Sequence, residues 1–416
     1  MFGLVGKKLE HSFSVEIHNL FGNDKYNLYE TENIEDFIRS NNFKGINVTL
    51  PYKTEIIPYL DKLDDLAKET MSVNTIIKKS DKLIGYNTDY YGLKETIGYY
   101  RIKVKNKNIL ILGNGSVSRT VSKLMKDLGT KKIVKLARKI KSDSDDLLAN
   151  FENYLNYEII INTTPVGMYP NNNDDLLIEL NKFEKVECLI DLIYNPIRTK
   201  LILEAEKLNI KAVNGLYMLV MQAKKAHELF LNKEIPLNMA NKVYRKIFSH
   251  HLNYVFIGLP LSGKTKYAKI IGEILQKTTK DTDDLIEAKY NASIPDIFIA
   301  NGEKVFRTYE YSVVEDIYKE HSLAISTGGG LIEKQANMEL LKQNGIIIYL
   351  NRNPEVIAKK KIYGRPLLKQ PSDILDLAKR RGPIYSKYAD IVIDISQDTN
   401  THVNEIKEKV DEYISR

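Results

Sequence analysis

The eight residues GLPLSGKT at 258–265 constrain this chain more than any other stretch. They follow the apolar run YVFI at 254–257 and precede a segment whose apolar residues recur at helical spacing. A glycine-rich turn between a strand and a helix presents backbone N–H groups at a positive helix N-terminus, and a lysine within it meets a phosphate. The context predicts an α/β domain with a parallel sheet that cradles ATP. Gly258, Leu261, Ser262, Gly263, Lys264, Thr265 and Lys266 are the candidate cradle, with Lys264 paired to the β/γ-phosphates and Thr265 on Mg²⁺.

The loop specifies the nucleotide and leaves the acceptor open. The acceptor is read from DTD at 281–283, GEKVFR at 302–307, TGGG at 327–330, GRPLL at 364–368 and RGPIY at 381–385. Asp283 is placed to orient or deprotonate a hydroxyl, and Asp281 to hold a Mg²⁺-bound water. Arg307 and Arg381 suit a bidentate grip on an acidic substrate. Gly329 and its neighbours offer backbone N–H groups where side chains would collide. Arg365 lies in a segment whose charge suits closure on ATP, which excludes water from the phosphoryl group. Glu303 and Glu310 are candidates for orienting Arg307.

The first half carries a different set. KNILIL at 107–112 reads as a buried strand, followed by GNGSVSR at 113–119 and a helix expected over 121–128. Gly113, Asn114, Gly115, Ser116 and Val117 are the candidate pyrophosphate turn of a dinucleotide fold. The next strand ends at LARK, 136–139, where such folds read the adenosine ribose. An acid there favours NAD; Arg138 and Lys139 instead suit a 2′-phosphate and predict NADP(H). Upstream, Lys53 and Asp89 suit ketone reduction. Hydride addition builds charge on oxygen, so Lys53 donates a proton while Asp89 holds both Lys53 and a substrate hydroxyl.

In combination these residues resemble two families. The first ~250 residues resemble shikimate dehydrogenase through HSFS (11–14), NVTLPYK (47–53), SVNT (72–75), NTDYYG (87–92), NTTPVGM (162–168), DLIYNP (191–196) and NGLYMLVMQA (214–223), in the family's order. The resemblance implies that Ser12 and Ser14 take the substrate carboxylate and that Thr49, Asn74, Asp89 and Gln222 take its hydroxyls. It also implies that Tyr194 lines the substrate side, with Leu192 and Gly215 near the nicotinamide. Residues 253–395 resemble shikimate kinase, which implies Asp283, Arg307, Gly329 and Arg381 on shikimate and Arg365 on ATP. Three departures stand out: Ser116 and Leu261 replace glycines common in the families, and the lid segment at 359–368 is short.

Short β-type runs alternate with helical patterns along all 416 residues, which predicts largely parallel sheets. The fold expected is α/β: an N-terminal substrate domain plus a Rossmann-like NADP domain, then a P-loop kinase domain with a parallel sheet. The boundaries expected are 1–250 (substrate domain about 1–100 and 215–250, NADP domain about 101–214) and 253–416. A helical stretch is expected at 55–61, and SHHLN at 249–253 is expected as a short connector.

Composition excludes other classes. At 43% hydrophobic and 28% charged residues the chain reads as a globular protein without a membrane span. The net charge of +7 comes without a basic block interleaved with aromatics, so no nucleic-acid partner is expected. The lone Cys188 fits a reducing cytoplasm.

The reading is a bifunctional enzyme of the shikimate pathway. One half reduces 3-dehydroshikimate to shikimate with NADPH, and the other converts shikimate to shikimate 3-phosphate with MgATP. The alternatives are a metabolite-sensing regulatory protein that keeps both folds without turnover, and an enzyme with one dead half serving as scaffold. Neither motif series borrows a residue from the other, which predicts two independent active sites. Oligomeric state is not legible here.

Overall fold

A computed structural model describes residues 1–10, 12–40, 43–172, 175–359 and 370–415, with the backbone alone at 371. The chain divides into two compact units, Met1–Ile247 and Phe248–Arg416. Among the described residues, no helix is long and apolar enough to cross a membrane.

The first unit holds two six-stranded sheets. One has the order Tyr26–Glu30, Phe2–Gly6, Gly45–Val48, Thr75–Lys79, Lys82–Tyr86, Lys62–Leu63. It is mixed rather than parallel: Thr75–Lys79 runs antiparallel to both Gly45–Val48 and Lys82–Tyr86. Ser80 and Asp81 make the reversal with φ of 49° and 62°, the left-handed pair that matches the twist of a two-residue hairpin. Residues 55–61, expected as helix, form only a single 3₁₀ turn at Ile57–Tyr59, with Pro58 inside it, before the short strand Lys62–Leu63.

The other sheet is parallel throughout, in the order Lys211–Asn214, Cys188–Asp191, Ile159–Asn162, Asn108–Leu112, Lys132–Ala137, Asp145–Leu147. Ile109, Leu110, Ile111 and Leu112 are all fully buried. A parallel strand covered by helices on both faces must be apolar at every position, which is why this stretch shows a continuous run and no alternation. The helix after it spans Ser116–Asp127, five residues earlier than expected, because the turn 113–115 feeds straight into the first helical residue.

The second unit is built on a parallel five-stranded sheet in the order Thr278–Asp281, Leu323–Ser326, Asn253–Ile257, Gly345–Asn351, Ile391–Asp394. The expected connector at 249–253 is not a loop. The helix Leu237–His251 runs through it and the strand Asn253–Ile257 follows after one residue. Lys277 closes that helix end: its Nζ donates to the carbonyls of Ser249 at 2.8 Å, His250 at 3.1 Å and Leu252 at 2.8 Å, satisfying acceptors the helix leaves open.

Candidate active sites

In the first unit the strand Gly45–Val48 leads into the segment bearing Lys53, and the helix Thr88–Tyr99 places Asp89 in its first turn. Lys53 Nζ lies 2.6 Å from Asp89 Oδ2, the two side chains being 11% and 8% exposed. Asn74 Nδ2 donates to Asp89 Oδ1 at 2.9 Å, to Thr88 Oγ1 at 2.9 Å and to Gln222 Oε1 at 3.4 Å. Four of the expected residues thus form one network. Gln222 arrives on the helix Leu216–Leu231, far along the chain. Behind the network, Asn47 Nδ2 donates to Thr75 Oγ1 at 2.9 Å and to the Asn74 carbonyl at 3.2 Å, while its Oδ1 accepts from Tyr26 at 2.7 Å.

A second group gathers Ser12, Ser14 and Tyr194. The serine hydroxyls are 3.1 Å apart, and Ser14 is buried. Burial pushes the Tyr194 phenol up to about 12, with a hydrogen bond to Ser12 acting the other way, so the phenol keeps its proton beside the serine pair. Thr49 is half-buried and is tied by its backbone N–H to the Val5 carbonyl at 3.0 Å. His11 of the HSFS motif lies outside the described residues.

The dinucleotide turn sits where strand order reverses, between Asn108–Leu112 and its neighbours Ile159–Asn162 and Lys132–Ala137. Gly113 takes φ of +101°, and a Cβ there would meet Thr163 Oγ1 at 2.8 Å, so only glycine leaves the crevice open. Gly115 is the N-terminal cap of the helix that Ser116 begins, and Val117 is half-buried in its first turn. Gly215 caps the helix Leu216–Leu231 with its N–H on the Ile193 carbonyl at 2.9 Å, next to the half-buried Leu192. Arg138 and Lys139 are exposed after their strand. One acid does approach this region. Asp145 is buried, but its oxygens face inward and accept from Lys135 at 2.7 Å, Ser142 at 2.5 Å, Asn114 at 2.8 Å and the Lys141 N–H at 2.9 Å. Burial raises its pKa, yet these four donors outweigh it and hold the carboxyl well below the usual carboxylate range. A carboxylate so fully engaged has no lone pair to offer a ribose.

In the second unit the loop after Asn253–Ile257 takes the conformation its glycines permit, with φ of +147° at Gly258 and +108° at Gly263. Leu261 also sits at φ of +63°. That costs about 1–2 kcal/mol for a side chain with a Cβ; packing of Leu261 against the apolar core offsets it. Lys264 Nζ rests on the carbonyls of Gly258 at 3.0 Å and Leu259 at 2.9 Å, and the buried Ser262 hydroxyl has no hydrogen-bond partner among the described residues. A lysine and an orphan hydroxyl in a glycine turn suit an anion. Lys266 points elsewhere, to Thr399 Oγ1 at 2.5 Å. Thr265 Oγ1 donates to Asp281 Oδ2 at 2.8 Å and lies 3.1 Å from Ser326 Oγ, an all-oxygen cluster that fits Mg²⁺.

Asp283 falls in the first turn of the helix Thr282–Tyr290, its N–H bonded to Asp281 Oδ1 at 3.0 Å. The Cβ position of Gly328 lies 2.5 Å from Asp283 Oδ1 and 3.1 Å from Glu310 Oε1, so both carboxyl groups crowd that glycine. Burial lifts Glu310 to about 7, with Arg307 acting against the shift and Asp283 adding to it. Arg307 donates to Glu310 and to Glu303 at 2.7 Å each. Gly329 accepts from the Tyr385 hydroxyl at 2.6 Å. Arg381 is buried, with Nε 3.1 Å from Glu333 Oε1. Arg365 and most of the lid segment 359–368 lie outside the described residues.

Comparison with known proteins follows this division. A family model described as the shikimate dehydrogenase substrate binding domain matches residues 4–76, and one described as shikimate kinase matches 260–411. The NADP(+) shikimate dehydrogenase of Clostridium beijerinckii is 38% identical over 58% of this chain and 96% of its own length. The chain belongs to the shikimate dehydrogenase family. Its second unit is a shikimate kinase domain. The relative from Methanococcus maripaludis is also 38% identical, over 55% of this chain and 91% of its own. Among solved structures, a chorismate mutase/shikimate 5-dehydrogenase fusion from Clostridium acetobutylicum is 32% identical, with a TM-score of 0.55 over 59% of this chain and 96% of its own. Shikimate dehydrogenase 1 of Peptoclostridium difficile is 35% identical, also with a TM-score of 0.55, over 59% and 97%.

Several residues escape the motif reading. Asn47 and Arg119 lie inside quoted motifs, yet nothing in the string marks what they touch. Arg119 extends from the cofactor helix to the carbonyls of Thr70 at 2.8 Å and Met71 at 2.7 Å and to Thr54 Oγ1 at 2.9 Å, one residue from Lys53. Asp145 and Glu333 carry no sequence signal, because Asn114 meets Asp145 across 31 positions, and Arg307 and Arg381 meet Glu333 across 26 and 48, only once the chain has folded.

Proposed function

We propose that residues 1–250 reduce 3-dehydroshikimate to shikimate with NADPH and that residues 253–416 phosphorylate shikimate with MgATP, as consecutive steps of one cytoplasmic enzyme. The observation that carries the first half is the Lys53–Asp89 pair at 2.6 Å inside a network reaching Asn74 and Gln222. Ser12, Ser14 and Tyr194 receive the carboxylate; Thr49, Asn74 and Gln222 receive hydroxyls. Bound NADPH supplies the hydride. Lys53 delivers the proton to the oxygen on which charge builds, and Asp89 keeps the ammonium aimed. In the kinase half, Asp283 takes the proton of the attacking hydroxyl, Arg307, Arg381 and the Gly329 N–H hold the acid, and Lys264 steadies the phosphates. Thr265 directly, and Asp281 through a bound water, would hold Mg²⁺, which when bound would neutralise phosphate charge. The groups that turnover needs are retained in both halves, which argues against the regulatory alternative.

Two assays on the purified chain test the reading. NADPH consumption with 3-dehydroshikimate and ADP release with shikimate and ATP are measured separately. Turnover in both is expected, and failure of either removes that half of the proposal.

Cofactor choice is read by Arg138 and Lys139. Charge-assisted contacts to a 2′-phosphate contribute about 1.5–3 kcal/mol each. Arg138→Asp is therefore expected to lower kcat/KM for NADPH by roughly ten- to a hundredfold while sparing NADH. Equal efficiency with the two cofactors in the unmodified enzyme contradicts this assignment.

A further inference from the structure

Glu333 stands in the single 3₁₀ turn Leu331–Glu333 that follows Gly330, and its carboxylate lies among three arginines. Oε1 is 3.1 Å from Arg381 Nε and 3.1 Å from Arg380 Nη2; Oε2 is 3.3 Å from Arg381 Nη2 and 3.2 Å from Arg307 Nη2. Both arginines assigned above to the acidic substrate are thus bridged by a carboxylate of the protein itself. The Arg307 guanidinium lies so close to Gly330 that a Cβ there would meet Nη1 and Nη2 at 2.5 Å, which keeps its plane fixed beside Glu333.

The distances divide the acids around this cluster into two kinds. Glu303 and Glu310 hold Arg307 at 2.7 Å, the length of strong charge-assisted bonds. Every Glu333 contact is 3.1 Å or longer. The arginines also differ. The Arg381 side chain is 3% exposed, and Glu333 supplies both carboxylate contacts on its fork. A buried guanidinium left without a counter-charge would be costly, so an acid has to sit there when no substrate does. Glu303 and Glu310 hold Arg307 through the shorter contacts, whereas Glu333 is the acid shared by both substrate arginines, through longer ones.

We infer that Glu333 is a stand-in for the substrate carboxylate: it neutralises Arg381 and Arg307 in the empty kinase site and must yield to shikimate, so it sets substrate affinity. The inference rests on the kinase reading of Arg307 and Arg381. Displacing a like-charged group reduces the binding free energy of the incoming acid but leaves the phosphoryl-transfer step untouched, because shikimate occupies the same contacts once bound.

The test is steady-state kinase kinetics on the full chain with Glu333→Gln, which keeps the shape and removes the charge, and Glu333→Asp, which keeps the charge but falls one methylene short of the arginines. Both are expected to lower the KM for shikimate, the Gln variant by about tenfold, the size of one weakened charge-assisted contact. The kcat and the KM for ATP stay at their unmodified values. A KM for shikimate that is unchanged or raised in both variants overturns the inference and makes Glu333 an orienting group instead. If one variant alone misfolds, seen as loss of ATP binding, the other decides. Absence of shikimate phosphorylation by the unmodified chain is the separate result that removes the kinase reading.

Discussion

Replacing Lys53 by Gln is expected to lower dehydrogenase kcat by about 10²–10⁴-fold, the range for loss of a positioned general acid, while shikimate phosphorylation continues at the unmodified rate. The expectation follows from the geometry of a single pair. The ammonium is held 2.6 Å from Asp89, and Asn74 engages the other carboxylate oxygen at 2.9 Å, so the proton donor has one orientation. Glutamine is preferred to alanine because Asp89 is buried, and stripping its partner would leave an uncompensated charge costing about 3–5 kcal/mol. The amide still donates a hydrogen bond to that carboxylate but has no proton to transfer. Shikimate oxidation with NADP⁺ reads the loss, retained NADPH binding is the folding control for the unit that holds Lys53, and ADP release on the same preparation checks that the second unit is untouched. Residual oxidation within tenfold of the unmodified enzyme would remove Lys53 from the catalytic role.

Asp283→Asn is expected to do the converse. The substitution preserves size beside Gly328, whose Cβ position lies 2.5 Å from the carboxylate oxygen, so the helix Thr282–Tyr290 should not move. What disappears is the only group proposed to take the proton of the attacking hydroxyl. Kinase kcat should fall by about 10²–10⁴-fold, with little change in the KM for ATP, and dehydrogenase kinetics should stay as they were. Glu310 is the internal rival, since it crowds the same glycine and burial lifts its pKa to about 7. If the Asp283→Asn enzyme keeps most of its turnover and Glu310→Gln removes it, the base has been assigned to the wrong carboxyl. Loss of dehydrogenase activity in Asp283→Asn would contradict the independence of the two sites.

What was readable from the string is what chain neighbours decide among themselves. The turn 258–265 needs a strand before it, glycines within it and a helix after it, all contiguous, so Lys264 and Thr265 could be placed without a structure. The buried run at 108–112 announced a strand covered on both faces for the same reason. The resemblance carried Asn74, Asp89 and Gln222 as separate residues. Folding had to bring the helix Leu216–Leu231 against Thr88–Tyr99 before Gln222 came within 3.4 Å of Asn74, 148 positions earlier. Periodicity also could not see that Lys277 closes the helix ending at His251, so 249–253 read as a connector. Charge shows the limit most clearly. Arg138 and Lys139 were legible as exposed cations, yet whether an acid answered them depended on Asp145 turning inward to four donors. Glu333 reaches Arg307 and Arg381 across 26 and 48 positions. Ion pairing depends on distance in space, which spacing along the chain does not contain, and only the packed structure decides which opposite charges meet.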